Sequence, residues 1–102
     1  MNSLIERNLG ALVELCRRHR VTRLDLFGSA TRADFDPACS DLDFLVEFEP
    51  LEPKAYAAAF FALLEGLQVL LGRPVDLVVE SSISNPYFRA SVERSRTRLY
   101  AA

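Results

Sequence analysis

The sequence predicts an α+β (α/β) fold, with a small mixed β-sheet and helices packed against it. Stretches with helical apolar spacing and short strand-like apolar runs follow one another as helix, strand, strand, helix, strand, helix. The length of 102 residues suits one core, and half of the residues are apolar while a quarter are charged. We therefore expect one globular domain over residues 1–102, without repeats or linkers.

Three helices are expected. The first runs from Leu4 to Arg20 and has basic residues at its C-terminal end. The second, Pro53 to Leu71, carries an apolar stripe, with Pro53 in its first turn and Gly72 as its C-terminal cap. Two apolar residues outside this stripe, Phe61 and Val69, either widen the core face or form a partner-binding patch.

The third helix begins at Asn85-Pro86 and leads into an arginine-rich end of the chain. We expect its arginines to form a solvated face, and the alternative is a contact with an acidic partner or RNA. The arginines are Arg89, Arg94, Arg96 and Arg98.

Three strands are expected, over Val21–Phe27, 41–48 and 74–80. In the second strand, alternation places Leu42 and Phe44 on one face and Asp41 and Asp43 on the other, with the two aspartates about 7 Å apart at the backbone. Residues 30–40 contain Asp36-Pro37 and are expected to form a loop or a short turn.

Composition narrows the classes of partner and compartment. A net charge of −2 and a pI near 5.3 argue against a general nucleic-acid binder, so small molecules or proteins are the expected partners.

Cys16 and Cys39 lack the spacing of a metal site, and Cys16 is expected in the core. Because the sequence shows no signal peptide, we expect a reduced, cytoplasmic protein. The apolar stretch from Ala55 to Leu71 is expected to be too short and too interrupted to span a bilayer.

The paired aspartates Asp41 and Asp43 indicate a divalent-cation site. Neighbouring carboxylates repel each other, and a cation between them removes that penalty. Their hard oxygen ligands suit Mg²⁺, with Mn²⁺ as the alternative, rather than zinc. Asp76 lies alone in the apolar run "PVDLVV", and it completes a three-carboxylate cluster for two metal ions if its strand pairs beside the second.

The dipeptide Gly28-Ser29 at the end of the first strand indicates a phosphate-binding turn. Gly28 permits close approach of a ligand to the backbone, and Ser29 offers a hydroxyl and an amide to phosphate oxygens. Arg32 is a further candidate phosphate donor. The dipeptide alone is most often only a turn, but its combination with three strand-borne aspartates is much more specific.

Other motifs in the sequence are less compatible with a catalytic or metal-binding role. The second Asp-x-Asp, Asp34-Phe35-Asp36, precedes Pro37 and is expected to form a turn. His19 is the only histidine, and it is expected to be a helix-end cation or a surface residue. A Ser-His-Asp catalytic arrangement is therefore not expected. A haloacid-dehalogenase-type phosphatase would have Gly-Thr just after its Asp-x-Asp, whereas Phe44-Leu45 follows here.

The stretch "LFGSATRADFDPACSDLDFLVEF" resembles the signature of DNA-polymerase-β-type nucleotidyltransferases. At this length the chain is most similar to the minimal nucleotidyltransferases, the small partners of HEPN-domain toxins in toxin–antitoxin pairs. The resemblance implies Asp41, Asp43 and Asp76 as metal ligands and Gly28 and Ser29 at the phosphates. It also implies transfer of AMP from ATP to a tyrosine of the HEPN toxin, within a hetero-oligomer, which silences the toxin's RNase activity.

The spacing differs slightly from the family pattern. Eleven residues separate Ser29 from Asp41, one more than usual, and the extra residue falls in the loop around Phe35 to Pro37, where insertions cost little. We expect activity to survive this change. The second functional hypothesis is a non-catalytic binding module of the same fold, which neutralises its partner by occlusion.

Overall fold

The computed structural model describes residues 3–31 and 41–102. Its helices and strands, in chain order, are α1 (Ser3–Arg7), α2 (Leu9–Arg18), β1 (Val21–Phe27), β2 (Leu42–Phe48), α3 (Pro53–Leu71), β3 (Val75–Val79), α4 (Pro86–Ser95) and β4 (Thr97–Ala101). Short 3₁₀ turns at Gly28–Thr31 and Glu80–Ser82 follow β1 and β3.

The four described strands form one mixed sheet in the order β3-β2-β1-β4. β1 is antiparallel to both β2 and β4, whereas β2 and β3 are parallel. The C-terminal end of β1 therefore lies beside the N-terminal ends of β2 and β3, at one edge of the sheet. The predicted mixed sheet with packed helices is confirmed.

Helices cover both faces of the sheet. The main core packs α1, α2 and α3 on one face, where Phe44 and Val46 of β2 meet Leu63 and Leu67 of α3. A smaller cluster on the opposite face joins Phe27 and Leu45 to Val92 of α4. Because side chains alternate along a strand, Asp43 lies on the same face as Leu45, which is the face that α4 covers.

Most predicted helix ends are confirmed by their caps. Gly72 ends α3 in a left-handed conformation with φ of 68°, and its N–H donates to the Gln68 carbonyl. At the start of α4, the Asn85 side chain accepts hydrogen bonds from the N–H groups of Tyr87 and Phe88.

Two expected elements differ from the structure. The single first helix is wrong: it is broken at Asn8, whose side-chain amide donates to the Leu4 carbonyl and so competes with regular helical bonding. The sequence also gave no indication of β4. None of its residues is fully buried and Arg98 is exposed, so the apolar signal of a strand is weak.

Helix α3 is long and apolar enough to cross a bilayer, judged by its 19 residues and mean hydropathy of 1.4. The expectation that this segment is too short and too interrupted was therefore wrong. Burial of Leu63, Leu67 and Leu71 in the main core accounts for one apolar stripe of this helix without a membrane. Phe61 and Val69 are 64% and 77% exposed, so the interpretation that they widen the core face is also wrong.

The expected solvated face of arginines is wrong for Arg96. Its guanidinium donates to the carboxylate of Asp25 at 2.6 and 2.8 Å, and Asp25 is 1% exposed in the middle of β1. Arg98 donates to the other oxygen of Asp25 at 2.9 Å. Glu80, in the turn after β3, bonds Arg96 and also Arg23, so this ion network joins β1 and β4 to that turn and to the end of α4.

We expect the substitution Arg96→Met to lower the free energy of unfolding by about 3 kcal/mol, measured by urea denaturation. Breaking a buried ion pair leaves Asp25 poorly compensated, and the retained Arg98 keeps the loss near the lower end of the usual range. The control Arg17→Met removes an exposed pair with Glu14 and should cost less than about 1 kcal/mol. Equal losses in the two variants would contradict a structural role for the network.

Candidate active site

Two of the predicted carboxylates meet at the edge of the sheet. Asp43 and Asp76 are direct partners in the parallel pairing of β2 with β3, and Phe27 is the partner of Asp43 on β1. Backbones of neighbouring strands lie about 5 Å apart, so the two aspartates are adjacent. Both occupy positions on the face that α4 covers, because Leu45 and Val78, two residues farther along each strand, pack there.

Asp41 lies just before β2 rather than within it, and its side chain is exposed. The expected start of the strand was therefore one residue too early. Asp41 still belongs to the same electrostatic cluster, since its charge and that of Asp76 both raise the pKa of Asp43. The three carboxylates are thus close enough to interact.

Gly28 is fitted closely against Asp43. It has a φ of 77°, in the left-handed region that favours glycine, and a Cβ at this position would lie 2.6 Å from Oδ2 of Asp43. The turn that begins here is closed by a 2.8 Å hydrogen bond from the Thr31 hydroxyl to the Gly28 carbonyl. Ser29 is the second residue of this turn.

Helix α4 fixes the other side of the turn. The Gly28 N–H donates to the Ser95 hydroxyl oxygen at 2.9 Å, across 67 residues of sequence. Ser95 directly precedes Arg96, so the ion pair between Arg96 and Asp25 also holds Ser95 beside the turn. This contact gives the sheet edge a second, non-local support.

Burial and neighbouring charges perturb the ionisation of the Asp43 carboxyl group. Its pKa is raised to about 6, first by burial and then by the charges of Asp76 and Asp41. A bound cation would favour the ionised form and offset both effects. The electrostatics of the described site therefore suit a cationic ligand.

The residues present fit a divalent cation shared with a ligand. Within residues 3–31 and 41–102, no three acidic, histidine or cysteine side chains converge to hold a metal ion by themselves. Mg²⁺ in nucleotide sites commonly takes only one or two carboxylates from the protein, and phosphates and water supply the rest. The adjacent positions of Asp43 and Asp76 on paired strands match that arrangement.

Several of the predicted residues lie in the segment between the two described ranges. Arg32, the Asp34-Phe35-Asp36 turn and Cys39 lie outside the described residues. Cys16 lies in the main core as expected, and burial raises the pKa of its thiol to about 12.

Sequence reasoning missed Ser95 and Asp25, which support the site. Ser95 carries no recognisable local signal, because its partner Gly28 is 67 residues away. Asp25 did carry one: it is a lone aspartate within the apolar run "RLDLF", the same kind of signal that singled out Asp76. Its partners, Arg96 and Arg98, are more than 70 residues away in sequence.

Comparison with known proteins agrees with the fold. The family described as nucleotidyltransferase domain matches residues 11–99. A relative from Methanocaldococcus jannaschii, provisionally named a protein adenylyltransferase, is 33% identical over 95 residues, covering 85% of this chain and 93% of the relative. Protein adenylyltransferase MntA of Thermococcus cleftensis is 39% identical over 72 residues, covering 71% and 69% of the two chains.

Solved structures share the architecture. One that is provisionally designated a minimal nucleotidyltransferase superposes with a TM-score of 0.76 at 33% identity and covers 95% of both chains. A complex of tri-AMPylated Shewanella oneidensis HEPN toxin with its MNT antitoxin includes a chain similar in fold, with a TM-score of 0.65 at 23% identity, covering 95% of this chain and 72% of that one.

The fold and the site define the class of protein: it is a small α/β domain with carboxylates at the edge of a mixed sheet, next to a glycine turn. The family match covers most of the chain, and the relatives are more than 30% identical over more than two thirds of it. This chain belongs to the nucleotidyltransferase domain family.

Replacing Gly28 with alanine should disturb Asp43, and Gly72→Ala provides a matched control. Both glycines have positive φ, so both variants should lose about 1–2 kcal/mol from backbone strain. A Cβ at Gly72 meets nothing within 4 Å, whereas the one at Gly28 collides with the Asp43 carboxylate. We therefore expect Gly28→Ala to lose about 1 kcal/mol more in urea denaturation. It should also shift the Asp43 carboxyl resonance in NMR spectra. Equal stability losses and an unchanged resonance would show that the close contact is unimportant.

Asp43→Asn should stabilise the metal-free protein at neutral pH. The raised pKa means that the folded state binds the Asp43 proton more tightly than the unfolded state, so this contribution to stability is lost as the pH rises from about 4 to about 6. Above that range the variant should be more stable by roughly 1–2 kcal/mol, since water still reaches and screens part of the carboxylate. Urea denaturation in EDTA from pH 4 to 8 measures the difference. The exposed substitution Glu65→Gln should give a curve parallel to that of the unsubstituted protein; a constant difference for Asp43→Asn would contradict the assignment.

Proposed function

We propose that this protein transfers AMP from ATP to the hydroxyl group of a tyrosine in a partner HEPN toxin. It thereby acts as the antitoxin of a toxin–antitoxin pair. The observation that carries the proposal is the pairing of Asp43 with Asp76 beside the glycine turn, in a chain of the nucleotidyltransferase family. Relatives named protein adenylyltransferases support the reaction. In this proposal residues 1–102 act as one nucleotidyltransferase domain.

Asp41, Asp43 and Asp76 would hold two divalent ions, Mg²⁺ or Mn²⁺, together with the phosphates of ATP. When bound, such ions neutralise phosphate charge and activate oxygen nucleophiles. The turn at Gly28 and Ser29 receives the triphosphate, and Gly28 allows the phosphates to approach because it has no side chain. Arg32 is a further phosphate donor in this proposal.

The reaction is an in-line displacement at the α-phosphorus. Asp76 orients the incoming hydroxyl and accepts its proton, and the hydroxyl oxygen forms a bond to the α-phosphorus. The bond from that phosphorus to the bridging oxygen of the β-phosphate breaks, and pyrophosphate leaves. The raised pKa of Asp43 matches a carboxylate that needs a cation to stay fully ionised at neutral pH.

The HEPN partner is proposed from the solved structures. The complex of S. oneidensis HEPN toxin with MNT antitoxin contains a chain of the same fold. An ATP-dependent reaction and a free Cys16 thiol fit a cytoplasmic location.

An alternative function is neutralisation by occlusion, with the metal site retained but unimportant. The exposed side chains of Phe61 and Val69 favour it, because apolar surface of this kind suits a protein contact. Occlusion and AMP transfer differ in their dependence on the carboxylates.

The test combines α-labelled ATP, Mg²⁺ and the HEPN protein encoded beside this chain's gene. We expect label on the toxin and loss of its RNase activity. The double substitution Asp41→Asn/Asp43→Asn should reduce transfer by at least about 100-fold, as expected when stabilisation of the transition state is lost. The matched control is Asp34→Asn/Asp36→Asn, which changes the other Asp-x-Asp by the same charge and should retain transfer.

The same variants decide between the two functions. If the toxin is never labelled, and Asp41→Asn/Asp43→Asn still silences it, the enzymatic proposal is wrong and occlusion is supported. If that variant binds the toxin and is folded but no longer silences it, occlusion alone is excluded.

A further inference from the structure

A polar cleft of about 620 Å³ lies between the glycine turn and the C-terminal half of α4. Gly28 and Thr31 line it from the turn, and Ser91, Arg94 and Arg96 line it from the helix and the residue that follows. None of the described residues that line it is acidic. In a chain with a net charge of −2, the described lining of this cleft beside the candidate active site contains two arginines and no acid.

The two arginines of this cleft have different roles. Arg96 is held by Asp25, Glu80 and Glu93, so its charge is already compensated. Arg94 is exposed, and within the described ranges it makes no hydrogen bond or ion pair. Among the described residues that line the cleft, Arg94 is therefore the cation that is available to an anionic ligand.

The neighbouring turn increases the need for such a cation. The Gly28 amide already donates to Ser95, so this N–H is not available to a phosphate. The nearby carboxylates Asp41, Asp43 and Asp76 repel any phosphate that approaches without compensating charge. A guanidinium presents several donors in a planar fork and suits phosphate oxygens. Ser91 lies three residues before Arg94 on the same side of the helix and adds a hydroxyl donor.

We propose that Arg94 is a phosphate-binding residue, which holds the terminal phosphates of the nucleoside triphosphate in this cleft. The inference rests on the proposed function for the identity of the ligand, and it adds α4 to the nucleotide site. Arg94 contacts the β- and γ-phosphates, which leave together as pyrophosphate, and it does not contact the adenosine or the α-phosphate.

The experiment measures the dissociation constants of ATP, AMP and inorganic tripolyphosphate by isothermal titration calorimetry in Mg²⁺ buffer. The test variant is Arg94→Gln, and Arg94→Lys keeps the charge without the fork. Arg18→Gln is the matched control, because it removes the same charge from α2, a helix on the opposite face of the sheet. Thermal unfolding checks that the variants, which change exposed side chains, are folded.

We expect Arg94→Gln to weaken ATP and tripolyphosphate by about 10-fold to 100-fold, the usual range for a lost charge-assisted hydrogen bond. AMP should change less than about twofold, Arg94→Lys should be intermediate, and Arg18→Gln should match the unsubstituted protein. Equal affinities of Arg94→Gln and Arg18→Gln for ATP and tripolyphosphate would overturn the inference. So would an unsubstituted protein that binds no tripolyphosphate.

The outcome for AMP transfer is separate. If the unsubstituted protein labels its toxin and Arg94→Gln binds ATP normally, the proposed function stands and the role of Arg94 falls. If no label transfers but tripolyphosphate binding depends on Arg94, the proposed function falls and the cleft remains a polyphosphate site.

Discussion

The structure depends on the neutralisation of one buried carboxylate. Asp25 is 1% exposed in the middle of β1, and it accepts hydrogen bonds from both Arg96 and Arg98. An unpaired charge at such a position is very unfavourable, so the end of the chain must return across the sheet to supply these cations. That return forms β4, in which Arg98 is the direct neighbour of Asp25, and it brings Ser95 to the amide of Gly28. The ion network thus also holds Ser95 beside the glycine turn of the candidate site, although neither Ser95 nor Gly28 belongs to the network.

The same face of the sheet carries two kinds of aspartate. Asp25 is fully compensated by arginines, and in the described parts of the chain no buried side-chain polar atom lacks a hydrogen-bond partner. At the sheet edge, Asp43 and Asp76 have one another as neighbours instead, and the pKa of Asp43 is raised. Compensation by the protein is typical of a structural carboxylate, whereas uncompensated repulsion between carboxylates is typical of a functional site, and on this ground Asp43 and Asp76 are the candidates.

The two faces of the sheet differ in the size of the apolar cluster that packs on them. The face under α1, α2 and α3 holds the main core, which accounts for most of the buried apolar side chains. Among the described residues, the opposite face holds a small cluster around Phe27, Leu45 and Val92, beside charged groups and the cleft next to α4. The proposed nucleotide and cation site lies on this less apolar face, and the core on the other face gives it a rigid base.

Local patterns in the sequence determined β1, the bounds of α3 with its Gly72 cap, and the choice of Asp41, Asp43 and Asp76 as candidate residues. These features follow from periodicity and from the conformational preferences of single residues, which need no knowledge of distant partners. Only the tertiary structure decided that β3 pairs with β2 so that Asp76 adjoins Asp43, and that Arg96 compensates Asp25 across 71 residues. Strand order and long-range ion pairs are selected by packing and desolvation of the whole chain, so no local stretch of this sequence contains them.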